Sequence, residues 1–279
     1  MTTKPIVVGT DGSARAGRAV EWAAREAALR GAPLRIVSAA EMLPRMSPPP
    51  PGSEVETVAT HLVGDRDAAL ASAASAAAAI APGVLIDTDP LPGGPAQAVA
   101  DSGSGAMLLV VGSDGNGAFA AMTLGSVSRF VAVHAPCPVV VVRDETAATE
   151  RLVAVGIRSP EDCGPAVAFA FEEARLRKAA LLAVHAWQFP DSRAAQEAGG
   201  KLDDVLNDCR GGYPEVEATR EVVHGHPGRV LADLSARASL VVLGRRGASD
   251  RRVPGPARVI HAVINHAQGS VAVVPPESG

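Results

Sequence analysis

The residues best suited to chemistry form a run of glycines and small polar side chains, Gly112-Ser113-Asp114-Gly115-Asn116-Gly117, followed after AFAAMTL by Gly125-Ser126. The spacing is G-x2-G-x9-G-S. Glycines let backbone N–H groups approach phosphate oxygens with no side chain in the way. A Gly-Ser pair that opens a helix offers unpaired amides and the positive end of the helix dipole to the same charge. The hydroxyls of Ser126 and Ser128 can add donors. No lysine follows the glycines, so this is not a Walker A loop, and the G-x-G-x-x-G dinucleotide spacing is absent.

A second feature lies far away in sequence. Asp11 sits in VGTDGS, directly after the apolar run Ile6-Val7-Val8. An Asp before Gly-Ser serves many proteins only as a turn or helix cap. Its functional reading is a carboxylate that accepts hydrogen bonds from a ribose hydroxyl or an adenine edge. The two features together describe a nucleotide site, and neither does so alone. No nucleophile–base pair, paired carboxylates or metal-ligand spacing accompanies them. His224 and His226 lack a nearby third ligand. His134 and His266 read as polar residues at helix ends, and Cys137 reads as a packed thiol between two prolines.

The elements that must carry these residues are written twice. IVVGTDGS at 6–13 returns as VAVGIRSP at 153–160, and LRIVSAA at 34–40 as LLAVHAW at 181–187. AMLLVVG at 106–112 returns as ASLVVLG at 238–244, and HAPCPVVVV at 134–142 as HAQGSVAVV at 266–274. The offset falls from 147 to 132, so the second copy is fifteen residues shorter in its middle. The excess lies around residues 44–53, PRMSPPPPGS, which reads as an exposed loop. The expected domains are 1–145 and 151–279, with 146–150 as linker.

Within the first copy the pattern predicts strands at 6–8, 34–39, 84–88, 108–111 and 139–142. Helices are expected at 14–30, 65–80 and 96–102, with a last one beginning near Ser126. Ser13 caps the first helix and Gly31 stops it. Ala16, Val20, Ala23, Ala24 and Ala27 share one helical face. Trp22 and Phe169 occupy matching positions and read as core. Strand–helix alternation requires parallel strands with right-handed crossovers. The expected class is therefore α/β, as two doubly wound five-stranded parallel-sheet domains that bind ligands outside the carboxyl ends of the strands.

Composition agrees. Of 279 residues 47% are apolar but only 3% aromatic, so both cores must be aliphatic. Lys+Arg 26 against Asp+Glu 30 gives net charge −4, which argues against a nucleic-acid binder. Three cysteines without metal spacing read as reduced thiols, and no signal peptide or membrane-length apolar run is visible, so a cytoplasmic chain is expected.

V-G-T-D-G-S, the G-x2-G-x9-G-S loop and the ending H-A-P-C-P-V-V-V-V resemble the universal stress protein family, and the duplication resembles its tandem, Rossmann-like members. Members with this glycine motif bind ATP, so the resemblance implies ATP, with Mg2+, as ligand. By the same likeness Gly9 and Asp11 would meet the nucleoside and Ala39 the adenine. Gly112, Ser113, Gly115, Asn116, Gly117, Gly125, Ser126 and Val127 would hold ribose and phosphates. Ser38-Ala39 departs from the His-Val usual in the family. The resemblance further implies a stress-response regulator rather than an enzyme, with the last strands of the two domains pairing inside one chain. A homodimer, a slow ATPase and a nucleotide-free scaffold remain alternatives.

The second copy keeps the frame but changes the site. Asp11 corresponds to Arg158, Gly125 to Ala257 and Ser126 to Arg258; Gly255 falls two residues early, between prolines. Gly112 and Gly115 keep counterparts in Gly244 and Gly247. Arg245, Arg246, Arg251, Arg252 and Arg258 make this end of the copy basic. Ordinary ATP binding is expected only in the first copy; the arginines read either as a solvated loop or as a grip for another anion.

Overall fold

The computed structural model describes residues 3–39, 53–113, 125–143, 151–158, 164–187, 192–245 and 256–276. The chain divides into two compact units, Met1–Val142 and Arg143–Gly279. Unit one runs β1 (Ile6–Gly9), α1 (Ala14–Arg30), β2 (Leu34–Ala39), α2 (Glu54–Ile80), β3 (Ile86–Leu91), α3 (Pro95–Asp101), β4 (Leu108–Gly112), α4 (Ser126–His134) and β5 (Val139–Val142). Its strands lie in the order β3-β2-β1-β4-β5, every pair parallel. The chain thus winds outward from β1 to β3 and then returns to the other side of β1. The order reverses between β1 and β4.

Unit two repeats this with β6 (Leu152–Gly156), α5 (Gly164–Arg177), β7 (Ala180–Trp187), α6 (Ser192–Arg210), β8 (Ala218–His224), α7 (Pro227–Leu234), β9 (Leu240–Gly244), α8 (Pro256–His266) and β10 (Val271–Val274). The order is β8-β7-β6-β9-β10, again parallel throughout. Both expected sheets are present.

Parallel strands covered on both faces need apolar side chains at nearly every position. Leu108, Leu109, Val110, Val139 and Val140 are accordingly buried in unit one, and Leu240, Val241 and Val242 in unit two. Alanine brings α1 close to the sheet: Ala16, Ala19, Val20, Ala23, Ala24 and Ala27 are all buried. Ser13 Oγ accepts from Ala16 N at 3.2 Å, and Gly31 ends the helix at φ 59°. In unit two Lys178 adopts the same left-handed conformation at φ 50°.

Three expectations are corrected. Helix α2 begins at Glu54 rather than near Asp65. Nothing between Glu54 and Gly64 breaks a helix, although Val58 and Leu62 stay exposed there; among the described residues of α2 the buried ones are Leu70, Ala73 and Ala77. Strand β3 is shifted to Ile86–Leu91 and runs through Pro90. Proline is tolerated because β3 is an edge strand. Trp22 and Phe169 are half-buried beside the helix stripe, while Phe171 fills the core of unit two. The expected loop at 44–53 lies outside the described residues except for Ser53, as does the linker 146–150. Among the described residues no helix is long and apolar enough to cross a membrane.

Candidate nucleotide site of unit one

Strands β2, β1 and β4 are neighbours, so their carboxyl ends put Ala39, Gly9 and Gly112 along one edge of the sheet. This edge contains the reversal of strand order, where doubly wound sheets open a crevice. A Cβ on Gly9 would stand 3.2 Å from Val99 Cγ1, so glycine lets α3 close against the strand end.

The turn after β1 is built from its own side chains. Thr10 N–H donates to Val37 O at 2.9 Å, holding the exit of β1 against β2. Gly12 N–H donates to Thr10 Oγ1 at 3.2 Å, and Ser13 N–H donates to Asp11 Oδ1 at 3.0 Å. Gly12 takes φ 77°, which favours glycine. Asp11 therefore shapes the turn and also stands exposed at its tip. The turn reading and the ligand reading coexist, because a carboxylate accepts at two oxygens.

The loop after β4 is anchored at both ends. A Cβ on Gly112 would meet Arg15 O at 3.0 Å, so only glycine lets the end of β4 lie against the first turn of α1. Ser113 is buried, and its carbonyl accepts from Gly125 N at 2.9 Å. The chain thus leaves the sheet at Ser113 and returns to the same point at Gly125. Gly125 is the N-cap of α4, extended at φ −56° and ψ 145°, with no side-chain cap on the helix. Ser126 is exposed and Val127 half-buried beside it.

Ser128 is corrected as a ligand donor. It is buried, and its hydroxyl donates to Gly112 O at 2.5 Å, tying the first turn of α4 to the end of β4. Sequence reasoning also passed over Thr10 and Val99, whose contribution is the shape of the edge. Thr10 lies inside the quoted VGTDGS, but nothing local distinguishes Val99. Of the expected site residues, the fold brings together Gly9, Asp11, Ala39, Gly112, Ser113, Gly125, Ser126 and Val127. Gly115, Asn116 and Gly117 lie outside the described residues.

Unit two presents a different edge. Ile157 N–H donates to Val184 O at 2.8 Å, which repeats the Thr10–Val37 bond, and exposed Arg158 follows where unit one has Asp11. Leu231 takes the place of Val99 and presses closer: a Cβ on Gly156 would be 2.7 Å from Leu231 Cδ1. Buried Ile260 replaces Ser128, so the hydroxyl tie is gone. Helix α8 starts at Pro256, two residues earlier in the repeat than α4. The counterparts of Gly125 and Ser126 therefore lie within the helix, and its first residue carries no N–H. Arg246, Gly247, Arg251, Arg252 and Gly255 lie outside the described residues. His224 ends β8 with its ring edge-on to Trp187, and His226 caps α7. His134 sits at the end of α4, where its Nδ1–H donates to Phe130 O at 2.8 Å.

Comparison with known proteins agrees with this doubled architecture. The model of the universal stress protein family matches residues 2–143 and again 151–275. Universal stress protein Rv2623 of Mycobacterium tuberculosis is 35% identical over 262 residues, covering 87% of this chain and 86% of that relative. Universal stress protein Rv2005c of the same organism is 33% identical, covering 96% of each chain. The crystal structure of a universal stress protein from Archaeoglobus fulgidus shares the fold at a TM-score of 0.74 and 15% identity, covering 99% of this chain and 98% of that one. Matched by the family model in both halves and by relatives of its own length, the chain belongs to the universal stress protein family.

Proposed function

We propose that unit one binds ATP with Mg2+, that unit two does not, and that nucleotide occupancy regulates what the protein does under stress. The observation that carries this reading is the pairing of a glycine cradle with an acceptor on one sheet edge. Gly112 and Gly125 bound a loop closed by the Ser113–Gly125 hydrogen bond, α4 opens without a side-chain cap, and Asp11 stands exposed at the end of β1. These residues fit the group. The amides and helix dipole suit the phosphates, and a carboxylate suits ribose or adenine. Mg2+ would arrive on the phosphate oxygens. In unit two the acceptor is replaced by a cation and the helix start is shifted.

Regulation is preferred to catalysis because the sequence sets no nucleophile–base pair, paired carboxylates or metal-ligand spacing beside the glycine motif. ATP then acts by binding one conformation or partner-bound state more tightly than another. The chain works as a cytoplasmic protein in this reading. Its apolar last strands, Val139–Val142 and Val271–Val274, pair with each other to remove two exposed edges.

The test is titration calorimetry of ATP–Mg2+ into nucleotide-stripped protein and into the Asp11→Ala and Ser126→Ala variants. The expected result is one site per chain with an affinity of about micromolar order, roughly 8 kcal/mol, weakened in both variants. Two sites would show that unit two was misjudged. No binding would leave a scaffold, and steady turnover lost in Asp11→Ala would make the protein a slow ATPase.

A further inference from the structure

We infer that the edge of unit two is an anion site for a compact oligophosphate, such as pyrophosphate, with no nucleoside recognised. Three arginines from three elements are placed at this end of unit two, two of them at the reversal of strand order. Arg158 follows β6, Arg245 follows β9, and Arg258 lies in the first turn of α8. Strands β6 and β9 run side by side with Gly156 opposite Leu243, and beyond that pair they part. Ile157 N–H turns to Val184 O of β7 at 2.8 Å, while Arg245 N–H turns to Val274 O of β10 at 2.7 Å. The parting opens the crevice that doubly wound sheets use for ligands, and an arginine stands on either side of it.

No carboxylate among the described residues forms an ion pair with Arg158 or Arg258, although eight other arginines do so. Both side chains are exposed, and Arg245 is half-buried. Guanidinium groups grip phosphate oxygens in bidentate fashion, so they substitute for the glycine amides of unit one. The same residues turn a nucleoside away. Arg158 removes the acceptor supplied by Asp11. Leu231 lies 0.5 Å nearer to Gly156 than Val99 does to Gly9, taking 2.7 against 3.2 Å from the added Cβ, and crowds the strand end. A small, highly charged anion needs neither the acceptor nor that space.

Trp187 ends β7 next to β6 and supplies a reporter, with Trp22 in unit one as the only other tryptophan. The experiment titrates inorganic pyrophosphate into the full chain by calorimetry, and follows Trp187 emission in the Trp22→Phe chain. Parallel titrations use Arg158→Ala/Arg258→Ala, Ser126→Ala, sulfate at equal ionic strength, and ADP. Pyrophosphate should bind the parent and Ser126→Ala alike, and at least about tenfold more weakly the double arginine variant. Read by Trp187 emission, which reports unit two alone in the Trp22→Phe chain, it should also bind more tightly than sulfate and no less tightly than ADP. Unchanged affinity in the arginine variant, no binding to the parent, parity with sulfate, or tighter ADP would each overturn the proposal. None of these outcomes depends on whether unit one takes ATP, which Asp11→Ala reads separately.

Discussion

Cys137 Sγ lies 2.9 Å from the point that a Cβ on Gly103 would occupy, so the thiol fills the space the glycine leaves. Unit two brings the same two positions together with the side chain on the other one: Ser235 stands at the place of Gly103, and Gly269 at the place of Cys137. A Cβ on Gly269 would fall 2.5 Å from the backbone carbonyl oxygen of Ser235, while the Ser235 hydroxyl accepts from Gly269 N at 3.4 Å. Ser235 Oγ accepts from Gln268 N at 2.8 Å and donates to Ala232 O at 2.6 Å. Each unit thus keeps one side chain and one glycine at this junction between the helix end and the approach to the last strand. Cys137 is thereby explained by packing.

The exchange predicts a coupled pair. Gly103→Ser should destabilise unit one by about 1–3 kcal/mol, because the added side chain meets the thiol in a packed interior. Placed in a Cys137→Gly background, the same change should cost at least about 1 kcal/mol less, since the pair then resembles unit two. Guanidinium unfolding of the four chains measures the coupling, and additive costs would refute the exchange.

Gly31 and Lys178 end equivalent helices in the same left-handed turn. Ala32 N–H donates to Ala27 O at 3.0 Å, and Ala179 N–H donates to Ala174 O at 2.9 Å. Only the first position has the residue that enters this region without strain. Lys178→Gly should therefore stabilise unit two by about 0.5–1 kcal/mol, and Gly31→Ala should destabilise unit one by a similar amount. Thermal unfolding of both variants reads the opposite signs.

How much of this was legible beforehand differs element by element. Helix α1 could be read to the residue because its ends carry their own chemistry, a Ser13 cap and a Gly31 stop. The start of α2 was not read, because the S-x-x-E capping-box spacing of Ser53 and Glu56 follows a proline-rich run and its first turns leave Val58 and Leu62 exposed. Strand β3 ran through Pro90 because its edge position, a tertiary fact, made the missing N–H harmless. At the site, Asp11 and the glycines were visible as types and spacing. The task of Ser128 depends on Gly112 being beside it, sixteen residues away in sequence, and the exchange of Gly103 and Cys137 appears only when the two units are superimposed.

A buried ion pair is also written twice. Glu26 is 1% exposed and pairs with Arg30 at 2.5 Å; Glu173, fully buried, pairs with Arg177 one turn on. Removing one partner of a buried pair leaves the other charge uncompensated, at a cost of about 3–5 kcal/mol. Glu26→Gln should fall at the lower end of that range, because Arg30 keeps 10% of its surface exposed. The double variant Glu26→Leu/Arg30→Met should lie within about 1 kcal/mol of the parent. Denaturant midpoints compare the two, and equal losses would mean that the ion pair is itself net stabilising and does more than offset its own burial.

Ser126 and Ser128 stand two residues apart and should fail differently. Ser128 spends its hydroxyl on Gly112 O in a buried setting. Ser128→Ala should cost about 1–2 kcal/mol of stability, because the carbonyl loses a partner away from water. It should weaken ATP only as far as the loosened turn of α4 misplaces its amides. Ser126 is exposed and is not the N-cap of α4. Ser126→Ala should leave stability within about 0.5 kcal/mol and lower ATP affinity directly, by about three- to tenfold for one lost hydrogen bond. Unfolding and ATP titration of both variants separate the roles. If Ser126→Ala destabilises the fold while Ser128→Ala only weakens ATP, the hydroxyl that meets the ligand is the buried one and the first turn of α4 must open to receive it.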